Sequence, residues 1–265
     1  MAKRGEMTGN IGEKLASDPD FMTSLARGLA VLRAFEQHNT LNTSQAAAAT
    51  GLSRAAARRC LYTLNKLGYI GAGDGKSFAL RPTLLPLARA FLNSKGFVET
   101  AQPVLLALRD QLGESCSLGL REGDDVVYVA RAEATRIMSA ALGVGSRLPA
   151  YCSSMGRVLL ASLSPDALED YLARAPFPRR TPETVVTAEA LRAELEQVRG
   201  QGFSVIDEEL EIGLRSIAVP VRDRTGQVVA ALNVGAPAAR ISVDDLTRRV
   251  LPPLLSAATT IGLLA

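Results

Sequence analysis

Residues 50–69 read TGLSRAAARRCLYTLNKLGY: a short turn, then three arginines among alanines, then an apolar run closed by glycine. On a wheel of about 100° per residue, Ala56, Ala57, Cys60, Leu61, Leu64 and Leu67 fall on one arc. Arg54, Arg58, Arg59, Tyr62, Asn65 and Lys66 fall on the other. The spacing predicts a helix capped by Ser53 and ended by Gly68, with one apolar face and one cationic face that carries no carboxylate. Solvated helix faces usually mix both signs, so this face is built to meet a polyanion. The bias extends beyond the helix: residues 21–96 hold ten Lys/Arg against two acids, whereas the rest of the chain is net negative.

The flanking sequence supplies the setting. SLARGLAVLRAFEQ (24–37) places Leu25, Leu29, Leu32 and Phe35 at helical spacing behind Ser24 as a cap, and NTSQAAAAT (42–50) gives a second short helix capped by Asn42 or Thr43. After the third helix, GYIGAGDGKSFALRP alternates as strand–turn–strand, with Asp74-Gly75 at the turn and Lys76 at the tip. Three helices and a hairpin describe a winged helix-turn-helix. Such a fold reads the major groove with the first turns of its last helix, where Arg54 and Arg58 stand one helical turn apart, suited to guanine edges. Arg59 and Lys76 are placed for phosphates. LLPLARAFLNSKG (84–96) follows as a connecting helix.

Composition removes several functions. The 265 residues are 47% hydrophobic and 22% charged, with a net charge of +3, as expected of a globular chain that buries a real core. No apolar run approaches a membrane span and no signal peptide is visible, so a cytoplasmic protein is expected. The one histidine, His38, ends a helix, which leaves imidazole catalysis and His-ligated metals without material. Cys60, Cys116 and Cys152 lack disulfide or metal-ligand spacing. Neither a catalytic residue, a metal nor a cofactor is expected, and residues 1–20 read as a loose polar tail.

From about Val98 the pattern changes. A helix (98–112) leads to strands at SCSLGL (115–120), DVVYVAR (125–131) and IMSAAL (137–142). A helix starts near Ser153, another at Ser164-Pro165, and a third spans 187–202. GFSVIDEELEIGLRSIAVPVRD, interrupted at its acidic middle, and GQVVAALNVGAP form strands joined by a turn at Arg224-Thr225-Gly226. A last helix is broken near Pro252-Pro253. Helices interspersed with hairpin strands predict an α+β sensor-like domain around a mostly antiparallel sheet.

The run from Ser24 to Ile70 resembles the DNA-binding domain of the IclR family of bacterial transcriptional regulators. LPAYCSSMGRVLLASL (148–163) and DEELEIGLRSIAVPVRDRTGQVVAALNVGAP (207–237) resemble that family's effector-domain signatures. AYCSSMGRVLLA with MTSLARGLAVL is most similar to the members controlling β-ketoadipate-pathway genes. The resemblance implies a winged helix-turn-helix over 21–82, a linker helix over 83–99 and a GAF-like α/β effector-binding domain over 100–265. It also implies a homodimer or tetramer on double-stranded palindromic operator DNA, modulated by an aromatic or dicarboxylic acid. Ser53, Arg54, Arg58, Arg59, Tyr62 and Lys76 would contact DNA, and Tyr151, Ser153, Ser154, Met155, Leu214, Ser216 and Asn233 the effector.

Independently of resemblance, YCSSMGR is a helix N-terminus with hydroxyl donors, a place suited to a carboxylate, unless Ser153 and Ser154 merely cap the helix. An acyl hydrolase using Ser153 or Ser154 as nucleophile is the rival reading, but it lacks a G-x-S-x-G elbow and a nearby histidine base. A sensor whose basic module binds RNA or protein is another, against which stands the scarcity of aromatics on the basic face. The acidic run Asp207, Glu208, Glu209, Glu211 reads as a solvated loop paired with Arg215.

Overall fold

The computed structural model describes residues 18–73, 77–94, 96–134 and 142–265. Most of the tail, the Asp74-Gly75 turn with Lys76, and all but the last residue of IMSAAL lie outside them. The chain forms two units, one ending at Ala90 and the other beginning at Phe91.

In the first unit, α1 (Thr23–Arg33) passes into a 3-10 turn, Ala34–Gln37. Then come α2 (Thr43–Thr50), α3 (Arg54–Lys66) and the antiparallel pair β1 (Ile70–Ala72) and β2 (Phe78–Leu80). The caps are local and strong. Asn42 and Gln45 form a reciprocal capping box on α2, Gly51 takes a left-handed φ of 69° after it, and Ser53 Oγ accepts Ala56 N–H at the head of α3. Ser24 does not cap α1, because the helix already starts at Thr23. The core is Val31, Phe35, Leu41, Ala46, Ala57, Leu61, Leu64 and Ile70, where alanines at the α2–α3 contact let the helices approach closely. The sequence expectation erred on three leucines: Leu25, Leu29 and Leu67 are exposed. Val31, off the stripe read from spacing, is fully buried in their place.

The helix α4 (Leu85–Ser94) begins in the first unit and ends in the second, which is a three-layer α+β sandwich. Its sheet contains β3 (Ser115–Glu122), β4 (Asp125–Ala132), β5 (Arg147–Pro149), β6 (Ser204–Asp207), β7 (Leu214–Arg222) and β8 (Val228–Pro237). The order is β5-β4-β3-β8-β7-β6, and every described pairing is antiparallel. The acidic middle of 203–222 is thus a hairpin turn between β6 and β7, not an interruption of one strand.

One face of the sheet packs α5 (Phe97–Leu112) and the C-terminal α9 (Leu251–Gly262) against Leu118, Ile217, Val219, Leu232 and Val234. Pro252-Pro253 sit in the first turn of α9, where proline is tolerated, and a π-helical turn, Leu246–Val250, precedes it. The other face is covered by α6 (Ser154–Ala161), α7 (Pro165–Arg174) and α8 (Ala188–Gln201). All eight residues of α6 are buried, so polar side chains on it are exceptional. Its seat depends on Gly156, where a Cβ would fall 2.2 Å from the Ala150 carbonyl oxygen. Among the described residues no helix is long and apolar enough to cross a membrane.

Candidate functional site

The structure holds two chemically distinct surfaces. On α3, Arg54, Arg58, Arg59, Tyr62 and Lys66 are all exposed, while Ala57, Leu61 and Leu64 anchor the opposite side. Among the described residues no carboxylate lies within ion-pair distance of Arg54, Arg58 or Arg59. Arg58, Arg59, Tyr62 and Thr63 line an open groove, and Lys66 Nζ sits 5.6 Å from the centre of the Tyr62 ring. The Ser53 hydroxyl oxygen accepts Ala56 N–H at 3.2 Å, and the residue is exposed. Lys76 lies outside the described residues.

The second surface is the sheet face beneath α6. Arg131 on β4, Ser117 on β3, Asn233 on β8 and Ala218 on β7 are direct cross-strand partners, so their side chains share that face. Ser204 on β6 continues the row beyond Ala218. Ser117 pairs with Arg131 and Gly119 with Tyr128, two residues against three. The extra residue is a β-bulge on β4, which restores Arg131 to the face that Tyr128 already occupies. The guanidinium lies 5.9 Å from the Tyr128 ring centre and its Nη1 donates to Ser117 Oγ at 3.0 Å. Its side chain is only 11% exposed, and its ion pair is a loose one with Glu133 at 3.7 Å. Burial pushes the Tyr128 phenol up, so it stays neutral and able to donate.

The residues anticipated from sequence divide into those held here and those committed elsewhere. Met155 lies over Gly119, where its Sδ would be 2.9 Å from an added Cβ. Ser216 alternates with Ala218 on the same face of β7, and Leu214, half-buried, heads that strand. Ser154 Oγ, Ser204 Oγ, Asn233 Oδ1 and Arg131 Nε are buried and have no hydrogen-bond partner among the described residues. By contrast, Ser153 Oγ donates to Pro149 O at 2.8 Å, and the Tyr151 hydroxyl donates to Pro178 O while its ring tilts against Phe177. Neither serine caps α6 through its side chain. The capping explanation of that hydroxyl pair therefore fails.

Arg131, Ser117 and Tyr128 were not anticipated. Simple alternation along β4 puts Arg131 on the opposite face from Tyr128, and only the bulge joins them. The acidic run also differs from expectation. Asp207 does pair with Arg215, whose Nη1 also donates to Ala238 O and Ile241 O. Glu209, however, is buried, with Arg157 Nη2 at 2.6 Å from its Oε2.

A family model for the IclR helix-turn-helix domain matches residues 24–72, and one for the C-terminal domain of bacterial transcriptional regulator IclR matches residues 89–263. The Pca regulon regulatory protein of Pseudomonas putida is 49% identical over 92% of this chain and 84% of its own length. The p-hydroxybenzoate hydroxylase transcriptional activator of Acinetobacter baylyi is 35% identical over 90% of each. Among solved structures, an IclR homologue from Microbacterium hydrocarbonoxydans complexed with 4-hydroxybenzoate superposes with a TM-score of 0.79 at 28% identity, over 90% of this chain and 97% of that one.

Proposed function

The chain belongs to the IclR family of bacterial transcriptional regulators, and from that premise we propose that it controls aromatic-acid catabolic genes in response to a small organic acid, an aromatic hydroxy acid foremost. In this reading the first unit binds double-stranded operator DNA and the second holds the acid between α6 and the sheet. The observation that carries it is the set of buried polar atoms that have no hydrogen-bond partner among the described residues: Arg131 Nε, Ser154 Oγ and Asn233 Oδ1. Buried polar groups are nearly always satisfied, and an under-compensated buried guanidinium is costly. A carboxylate accepting from Arg131 and Ser154, with a ring hydroxyl donating to Asn233, satisfies all three. Arg131 and Asn233 stand two strands apart on the same sheet face, either side of Ser117, roughly 10 Å between backbones.

On α3, Arg54 and Arg58 read bases and Arg59 binds phosphate, with Ser53, Tyr62 and Lys76 beside them. Two copies on a palindromic operator in the cytoplasm complete the scheme. The acid shifts a population between DNA-binding states through α4; no bond is made or broken. Calorimetric titration with 4-hydroxybenzoate, protocatechuate and adipate tests the site, alongside gel shift on the protein's own upstream DNA. Ser154→Leu is expected to abolish acid binding and leave the gel shift intact. Unchanged acid affinity in Ser154→Leu would refute the assignment.

A further inference from the structure

Arg157 is the one fully buried arginine of α6, three residues after Ser154, with 1% of its surface exposed. Nothing in acid recognition uses it, yet each branch of its fork is engaged. Nε donates to Tyr151 O at 3.1 Å, Nη1 to Glu194 Oε2 at 3.1 Å and Nη2 to Glu209 Oε2 at 2.6 Å. Those partners lie in the turn leading into α6, on α8, and in the β6–β7 turn. The β6–β7 turn is itself tightly made. Glu208 has a left-handed φ of 57° and its Oε2 accepts Gly213 N–H at 2.7 Å. Glu209 Oε2 also accepts Val185 N–H, and its main-chain oxygen accepts the Thr184 hydroxyl at 2.7 Å. The turn ends at Leu214, where β7 begins on its way to Ser216 and Ala218.

We infer that Arg157 is a positioning residue: a guanidinium latch that ties the Tyr151–Ser154 turn to the Glu208–Gly213 turn and so holds the two halves of the acid site, α6 and β7, in one register. The inference rests on the site assigned above for its effect on binding, but not for the latch itself. A buried ion pair is a weak source of net stability, since desolvating the charges offsets most of their attraction. Its three-way geometry is what a hydrophobic replacement cannot reproduce. The planar fork fixes all three donor directions in one plane, which a lysine ammonium does not.

The test uses the full-length protein as wild type, Arg157→Lys, and the double variant Arg157→Met with Glu209→Gln. The double variant removes both buried charges while the glutamine carbonyl still accepts from Val185 N–H, so it is expected to fold even if a lone Arg157→Met does not. Hydrogen exchange without ligand is expected to rise in both variants at residues 152–156 and at 208–213 together. Affinity for 4-hydroxybenzoate, measured well below the melting temperature, is expected to fall about 10- to 100-fold, by analogy with the loss when groups that orient metal ligands are removed. Exchange unchanged in either turn, in a folded variant, overturns the latch. If exchange rises and a folded variant binds the acid as wild type does, the positioning role is overturned and Arg157 is structural only. If exchange rises and wild type binds no acid, the latch stands and the acid-site reading is what fails.

Discussion

Arg131 donates its Nη1 proton to Ser117 Oγ at 3.0 Å across the β3–β4 ladder, and the β-bulge on β4 is what allows them to meet. That contact holds the guanidinium over a buried sheet face with Nε–H still unspent among the described residues. A hydrogen bond to a charged group contributes about 1.5–3 kcal/mol. Arg131→Met is therefore expected to raise the dissociation constant for the acid by about 10- to 150-fold. Arg131→Lys should recover only part of the loss, because a lysine cannot bond Ser117 and a carboxylate in one plane. Titration calorimetry reads both, and an affinity unchanged in Arg131→Met would remove the residue from the site.

Arg54 and Arg58 project from the first two turns of α3, unpaired by any described carboxylate. Each change to alanine is expected to cost about 1–3 kcal/mol on the cognate operator and to flatten base preference at one position. Competition gel shifts against single-base operator variants read this. Equal losses on operator and random duplex would reassign these arginines to the phosphates.

Arg59 stands on the flank of the same helix face. Arg59→Ala should weaken operator and random duplex alike and reduce the slope of log K against log salt by about 0.9, the contribution of one phosphate contact. A salt series on both duplexes measures it, and an unchanged slope would show that no phosphate is bound there.

Gly156 and Gly200 make a matched pair of helical glycines. A methyl at Gly156 meets the Ala150 backbone at 2.2 Å, whereas nothing lies within 4 Å of one at Gly200. Overpacking against backbone costs about 1–3 kcal/mol, so Gly156→Ala should lower the melting temperature by roughly 2–12 °C. Gly200→Ala should raise it slightly, by the 0.5–1 kcal/mol or so that alanine gains over glycine inside a helix. Calorimetric melts compare the two, and equal shifts would mean that α6 can slide away from Ala150.

The sequence by itself determined what is settled within a few residues. Ser53, Gly68, the Asn42–Gln45 box, Ser164-Pro165 and Gly226 mark their elements because caps and turns are local hydrogen-bond and φ requirements. The cationic face of α3 was legible for the same reason: helical periodicity alone separates Arg54, Arg58 and Arg59 from Ala57, Leu61 and Leu64. Ser154, Met155, Ser216 and Asn233 were reached through family likeness, and the sheet then set the last two on one face beneath the first two. Tertiary structure alone decided the rest. One extra residue in β4 reverses the side-chain parity that alternation predicts, and so brings Arg131 to Ser117 and Tyr128. Glu209 looked solvated because its counter-charge, Arg157, lies 52 residues away on another element. Leu25 and Leu67 satisfied the helical spacing and are still exposed, since periodicity names a face but not whether anything covers it. Parity after a bulge, the partner of a buried charge and the covering of an apolar stripe are all long-range quantities, and no window of local sequence contains them.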